Sequence, residues 1–414
     1  MPAGYSPWQV RPAHRAFEPA RFVFFSVSPL YYSPVSDSRR RLLVILGTIA
    51  VLALAIGSAW QVVRRLSMLD ARTAPPAKSV PVGGSLLDAL GSARVWVNRP
   101  APRPASLEGR PVLALLWCDT DPAGLAALER VEASRVAYER FGLRVIGIHE
   151  PAFAFAADSA TPARAARRAD ARFPIALDPA GELRRALGAG DDLPVIVVSD
   201  TSGRVIWRGA GLARVAAADP VVRDLLEQLH PERRFPAAGV RSLPPGANAE
   251  DAARVVYLGS PRVLEGPLKG ATLGRAQPFT AQFRFQVEGR PFVPYPVGWW
   301  TPTADGLTAS RGGADNFLAL RCSGEAIYVV ASPPEGRSAR LWILRDEAWL
   351  PADALGEDAR LDAGGASYVD ITESRLYAVA RGGGGHVIKL SPDERGLTLH
   401  ALVVVPNAAA AVAR

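Results

Sequence analysis

Thiols are almost absent from this chain, since Cys118 and Cys322 are the only cysteines among 414 residues. An exported fold stapled by disulfides carries many more, so the cores here must be held by apolar burial. A bridge between these two thiols would have to join separate domains. Lysine is scarce as well: Lys78, Lys269 and Lys389 leave nearly all of the 48 cationic side chains to arginine. The histidines number five, and His386 and His400 have no metal-ligand spacing with Cys322, so neither a metal nor any other cofactor is expected. Gly382 to Gly385 imitate a phosphate loop but lack the following Lys-Ser/Thr and helix, and they read as a hairpin between strands. Glycine (37) and proline (36) are plentiful, which forces many loops. With 49% hydrophobic residues the chain is neither disordered nor fibrous and has length for two domains.

The formal charge of +8 is unevenly placed, because residues 1 to 65 carry eight arginines against Glu18 and Asp37. A nucleic-acid surface needs cations gathered on a folded face, and here they flank an apolar run, so no nucleic-acid partner is expected. That run, Leu42 to Val63, is uncharged and long enough for a bilayer core, which takes about 20 helical residues. A cleaved signal peptide has a shorter apolar stretch behind a shorter lead, so an uncleaved anchor in the bacterial inner membrane is favoured. Arg39, Arg40 and Arg41, with Arg11, Arg15 and Arg21, place the N-terminal tail (1–41) in the cytoplasm and the rest in the periplasm. Trp60 sits near the far interface. Residues 64–85 are a Pro- and Ala-rich spacer.

From residue 86 to 231 apolar runs alternate with helical segments. Pro111 to Trp117 (PVLALLW) and Leu143 to Ile148 read as strands buried on both faces. Asp121 is an N-cap and Pro122 the first position of a helix running to about Phe141. Asp200 to Gly203 make a hairpin turn, and Asp219 and Pro220 open a last helix. Residues 232–249 form a second linker. The stretch 250–406 holds nine short β-rich runs separated by turns, among them Thr280 to Val287, and predicts an antiparallel sandwich of jelly-roll type, followed by a tail, 407–414.

Several of these words resemble a family. VWVNRPAPRPASLEGRPVLALLW (95–117), VIGIHEPAFAFA (145–156) and FPIALDPAGELRRALGAGDDLPVIVVSDTSGRVIWRGAG (173–211) are similar to membrane-anchored thioredoxins of the TlpA and DipZ type. VVYLGSPR (255–262) and residues 364–404 resemble the C-terminal β-domain of DipZ-type proteins. The resemblance implies an α/β thioredoxin-like domain followed by an all-β, carbohydrate-binding-type sandwich.

It also implies a Cys-x-x-Cys at the start of the helix after the first central strand, where backbone N–H groups and the helix dipole stabilise a thiolate that a second thiol resolves. Counted from Trp117, the two family positions fall on Asp121 and Gly124, and both sulfurs are missing. In the alternative register Trp117-Cys118 matches the family's Trp-Cys, Cys118 is the attacking thiol and Asp121 replaces its resolving partner. Pro194, after Leu193, matches the family's cis-proline, which with Trp117 would line a peptide-binding edge. His149 and Glu150 suit a strand-to-loop junction better than acid-base work. Trp299 and Trp300, beside Tyr295, could stack a ligand, though neighbours on a strand face opposite ways and one of the two belongs to the core.

Three functions follow: a protein-binding envelope scaffold without dithiol chemistry, a thiol-disulfide oxidoreductase using Cys118 alone, or a glycan- or cell-wall-binding module.

Overall fold

A computed structural model of the chain describes residues 85–239, 253–259, 262–263, 266–280 and 290–406. The anchor expected at 42–63 with its flanking tail, most of both linkers and most of the 280–287 strand lie outside the described residues. Among those described, no helix is long and apolar enough to cross a membrane.

The first half alternates strands and helices: α1 (Leu86–Gly91), β1 (Trp96–Val97), α2 (Pro104–Leu107), β2 (Val112–Trp117), α3 (Pro122–Tyr138), β3 (Arg144–His149), α4 (Ala160–Arg168), β4 (Ile175–Leu177), α5 (Glu182–Ala186), β5 (Val195–Ser199), β6 (Val205–Ala210) and α6 (Leu212–Leu229). The six strands form one sheet in the order β1-β4-β3-β2-β5-β6. β2 runs parallel to β3, and β3 to β4, while β5 pairs antiparallel with both β2 and β6. This is a thioredoxin-like domain.

β2 is apolar at every position, and β3 from Val145 to Ile148, because both faces of the sheet are covered. Leu113, Leu115 and Trp117 of β2 pack under α3 and α6, whereas Val112, Ala114 and Leu116 face α1 and α5. Each fully buried side chain of this kind contributes about 1.5 to 3 kcal/mol.

One helix boundary departs from the sequence reading. α6 begins at Leu212, not at Asp219, and carries Pro220 inside it. Leu212, Val215, Ala218, Val222 and Leu226 form one buried stripe across the proline, so packing outweighs the lost backbone bond.

The second half is all-β: β7 (Arg254–Tyr257), β8 (Gln277–Phe279), β9 (Pro294–Pro302), β10 (Leu307–Ala309), β11 (Phe317–Ser323), β12 (Ala326–Ser332), β13 (Ala339–Arg345), β14 (Ala348–Trp349), β15 (Arg360–Leu361), β16 (Ser367–Ile371), β17 (Arg375–Arg381), β18 (Gly385–Pro392) and β19 (Thr398–Val405). β9 is shared between two sets of ladders. Its first part pairs with β11, next to β18, β13 and β16, and its second part pairs with β8 and β10, which leads on to β19, β12 and β17. Gly298 sits at the changeover with φ of 90°, and a Cβ there would lie 2.3 Å from Asn316 Oδ1, the atom that accepts the Trp299 N–H. One apolar core, including Trp300, Leu320, Ile343, Val329 and Leu402, draws on both sets.

Gly382 to Gly384 do not make a hairpin. β17 pairs with β12 and β18 with β11 and β13, so this glycine run carries the chain from one ladder set to the other.

Candidate functional site

The chemistry-bearing residues gather where β2 ends and α3 begins. Asp121 is the N-cap of α3: its carboxylate oxygens accept the N–H groups of Ala123 and Gly124, each at 3.1 Å. Pro122 follows at the first helical position. A carboxylate therefore caps this helix end, and it uses amides that could otherwise stabilise a thiolate.

Position 124 is closed to any side chain. A Cβ on Gly124 would stand 2.6 Å from the Cys118 carbonyl oxygen and 3.3 Å from the Cys118 amide nitrogen. Backbone atoms cannot rotate aside, so a resolving cysteine has no room here.

Cys118 lies on the loop just before the helix and is 6% exposed. Its Sγ is 3.1 Å from Thr120 Oγ1. Burial, and then the neighbouring Asp119 charge, push the thiol up to about 12, so at neutral pH almost none is thiolate. Cys322, buried in the β-rich core, is pushed up to about 12 in the same way, mainly by burial, and both thiols are free.

Beneath the loop lies a pair that sequence reasoning missed. The His149 Nε2–H donates to Asp119 Oδ1 at 2.8 Å, and both side chains are 1% exposed. The imidazole also meets Trp117 edge to face, with ring centroids 4.9 Å apart. His149 thus has the structural junction role expected of it. Asp119 was overlooked because an acid after a strand ordinarily faces water; the signal was the apolar run of β2 beside Val145 to Ile148 of β3, which leaves no open side at their common end. The second Asp119 oxygen and the Trp117 Nε1–H have no hydrogen-bond partner among the described residues.

The proposed peptide edge is altered. Trp117 is fully buried in the α3 face of the sheet and touches no solvent, because the preceding strand residues alternate and this one falls on the packed side. Leu193 is half-buried and Pro194 buried; their peptide bond is cis, and the Pro194 carbonyl accepts the Gly211 N–H at 2.8 Å. Arg184 ties this region together by donating to Glu150 Oε2 at 2.8 Å and to Asp191.

Of the two tryptophans considered for ligand stacking, one is core and the other partly exposed. Trp300 has no exposed surface and donates its Nε1–H to the Val297 carbonyl at 2.8 Å, since its side of β9 faces the core. Trp299 points the other way, but the Arg311 guanidinium lies over its ring, 4.7 Å from the centroid.

Asp121 gives a testable pH dependence. Burial raises its carboxyl to about 6, against the opposing hydrogen bonds from Ala123 and Gly124. A raised folded value means that protonated Asp121 favours the native state: the stability is present at acid pH and lost as pH rises through about 6. The full shift corresponds to about 3 kcal/mol, and partial exposure of the residue reduces this to about 1 kcal/mol. Asp121→Asn keeps the cap, so urea unfolding at pH 7.5 should find it about 1 kcal/mol more stable than the parent, with the difference vanishing near pH 4.

No family model matches the sequence. Over 278 residues the chain is 24% identical to Protein DipZ of Mycobacterium bovis, an alignment that takes in 64% of this chain and 38% of that protein. Protein DipZ of Mycobacterium tuberculosis matches equally. The chain thus spans well under half the length of these curated relatives. Among solved structures, a thiol-disulfide isomerase from Corynebacterium glutamicum aligns at 18% identity and a TM-score of 0.28, covering 32% of this chain and 92% of that one. A thioredoxin-family thiol:disulfide interchange protein from Chlorobium tepidum aligns at 19% and 0.28, covering 36% and 99%.

Proposed function

We propose that this chain is a membrane-anchored envelope protein, with its folded domains in the periplasm, that has given up dithiol exchange and works by binding other envelope proteins. The observation that carries the reading is the α3 mouth. In the register that puts the family positions at 121 and 124, a capping carboxylate stands at the first and backbone packing closes the second. Exchange needs an accessible thiolate and a second thiol to release the mixed disulfide. Cys118 is buried and pushed up to about 12, which counts against a single-thiol enzyme as well. The uncharged apolar run at residues 42–63 and the similarity to DipZ support the envelope location. The apolar core drawn from both ladder sets supports a sandwich-type fold for the β-rich half, and with Trp300 in that core and Arg311 over Trp299 nothing among the described residues favours a glycan over a protein as its partner.

The test is dithiothreitol-driven reduction of insulin by the full-length protein. Turnover should stay at background, and neither thiol should react with iodoacetamide at pH 7.5 before unfolding. Clear turnover, or fast alkylation of Cys118 in the native protein, would overturn the proposal.

A further inference from the structure

Three strands of the β-rich domain are apolar on both faces. In β12, Ile327, Val329 and Ala331 enter the core, while Val330 points outward yet is fully buried. In β19, Leu402 and Val404 are core residues, whereas Ala401 and Val403 belong to a second cluster, as does Leu376 of β17. An antiparallel sheet with one wet face alternates in polarity, so a sheet apolar on both sides has a cover on its outer face.

The cover is the thioredoxin-like domain. The second cluster is completed by Phe153 and Phe155 from the loop after β3 and by Leu125 from the first turn of α3. Phe153 and Phe155 lie 5.4 and 4.9 Å from the His400 ring. Polar contacts rim the seam. The Ala154 N–H donates to Asp305 at 2.8 Å, Arg262 donates to the Ala152 carbonyl at 2.7 Å, and Arg164 and Arg168 of α4 both grip Glu373, at 2.8 and 2.7 Å. Leu125 follows the Asp121 cap by one helical turn. The face covered is therefore the one that carries the α3 mouth.

We propose that the β-rich domain is the resident occupant of the recognition face of the thioredoxin-like domain, so that a protein partner of that face must displace it. This rests on the reading above only in treating the α3 end as a recognition face. The seam is apolar at its centre and ion-paired at its rim, the anatomy of a specific interface, and the linker between the domains gives it a high effective concentration. Without a competitor the closed form dominates.

Hydroxyl-radical footprinting of the full chain reads the seam from both sides and needs neither insulin nor a partner, so its outcome is independent of the redox assay. In the parent protein Phe153, Leu125, Tyr257 and Tyr328 should label slowly. Glu373→Arg, which faces Arg164 and Arg168 with a like charge, should speed labelling on both domains together by about tenfold, and adding Arg164→Glu and Arg168→Glu should restore protection. Tyr138 and Tyr377, each buried in its own domain core, report whether the fold is intact and should stay protected. Phe153→Asp provides a second route to opening by the same criterion. Fast labelling of the seam in the parent, labelling that rises on one domain only, or failure of the charge swap to restore protection would overturn the proposal.

Discussion

Gly124→Ala is expected to destabilise this protein by about 3 kcal/mol, although the same change in an ordinary helix is stabilising by about 1 kcal/mol. Gly124 lies in the first turn of α3 with helical geometry, so propensity alone favours alanine. The obstacle is the Cys118 carbonyl oxygen, 2.6 Å from where the new Cβ must go. Relief requires moving either the 118–121 loop or the helix start. The loop is fixed by the buried Asp119–His149 contact, and the helix start by Leu125 and the Asp121 cap. Urea unfolding of the single variant measures the effect, and a gain in stability would show that the loop yields freely. The same clash governs any attempt to rebuild a dithiol. Asp121→Cys with Gly124→Cys should lose at least as much stability and still fail to reduce insulin, because the second sulfur cannot be seated without breaking the contacts that hold the first position in place.

Much of the first domain was legible because its signals are local. Both central strands announce themselves as apolar runs, the second interrupted only by Arg144, and Asp121-Pro122 states a helix start in two residues. What escaped the sequence depends on contacts distant along the chain. Pro220 looks like a helix opener until the stripe from Leu212 to Leu226 is seen to run past it. The Gly382 to Gly385 run looks like a hairpin because its flanks are strands, and nothing local tells that the two strands belong to different ladders. The seam was written in the sequence in a form open to misreading: AIYVVA (326–331) and ALVVV (401–405) are apolar at consecutive positions, which one-sided strands do not need. Trp299 and Trp300 were legible by alternation, which told that one is core and the other displayed, though not that Arg311 would lie over the displayed ring.

Asp119→Ala should cost about 3 kcal/mol, since it strands a buried imidazole with its N–H group turned toward nothing. His149→Ala should cost a similar amount by leaving the carboxylate unpaired at 1% exposure. The two losses should not add. Removing both partners abolishes the uncompensated group left by each single change, so the double variant is expected to fall short of the sum by about 1 to 3 kcal/mol in a double-mutant cycle from urea denaturation at pH 7. Additivity would mean that the pair contributes only through packing. Asp119→Asn separates charge from shape: it keeps an oxygen to accept the Nε2–H, and a loss below about 1.5 kcal/mol would assign the contact chiefly to hydrogen bonding. The measurement bears on function because Asp119 sits between Cys118 and the Asp121 cap. If this contact sets the loop, the Asp119→Ala variant should also expose Cys118 to iodoacetamide in the native state, while Cys322, in the other domain's core, stays inert.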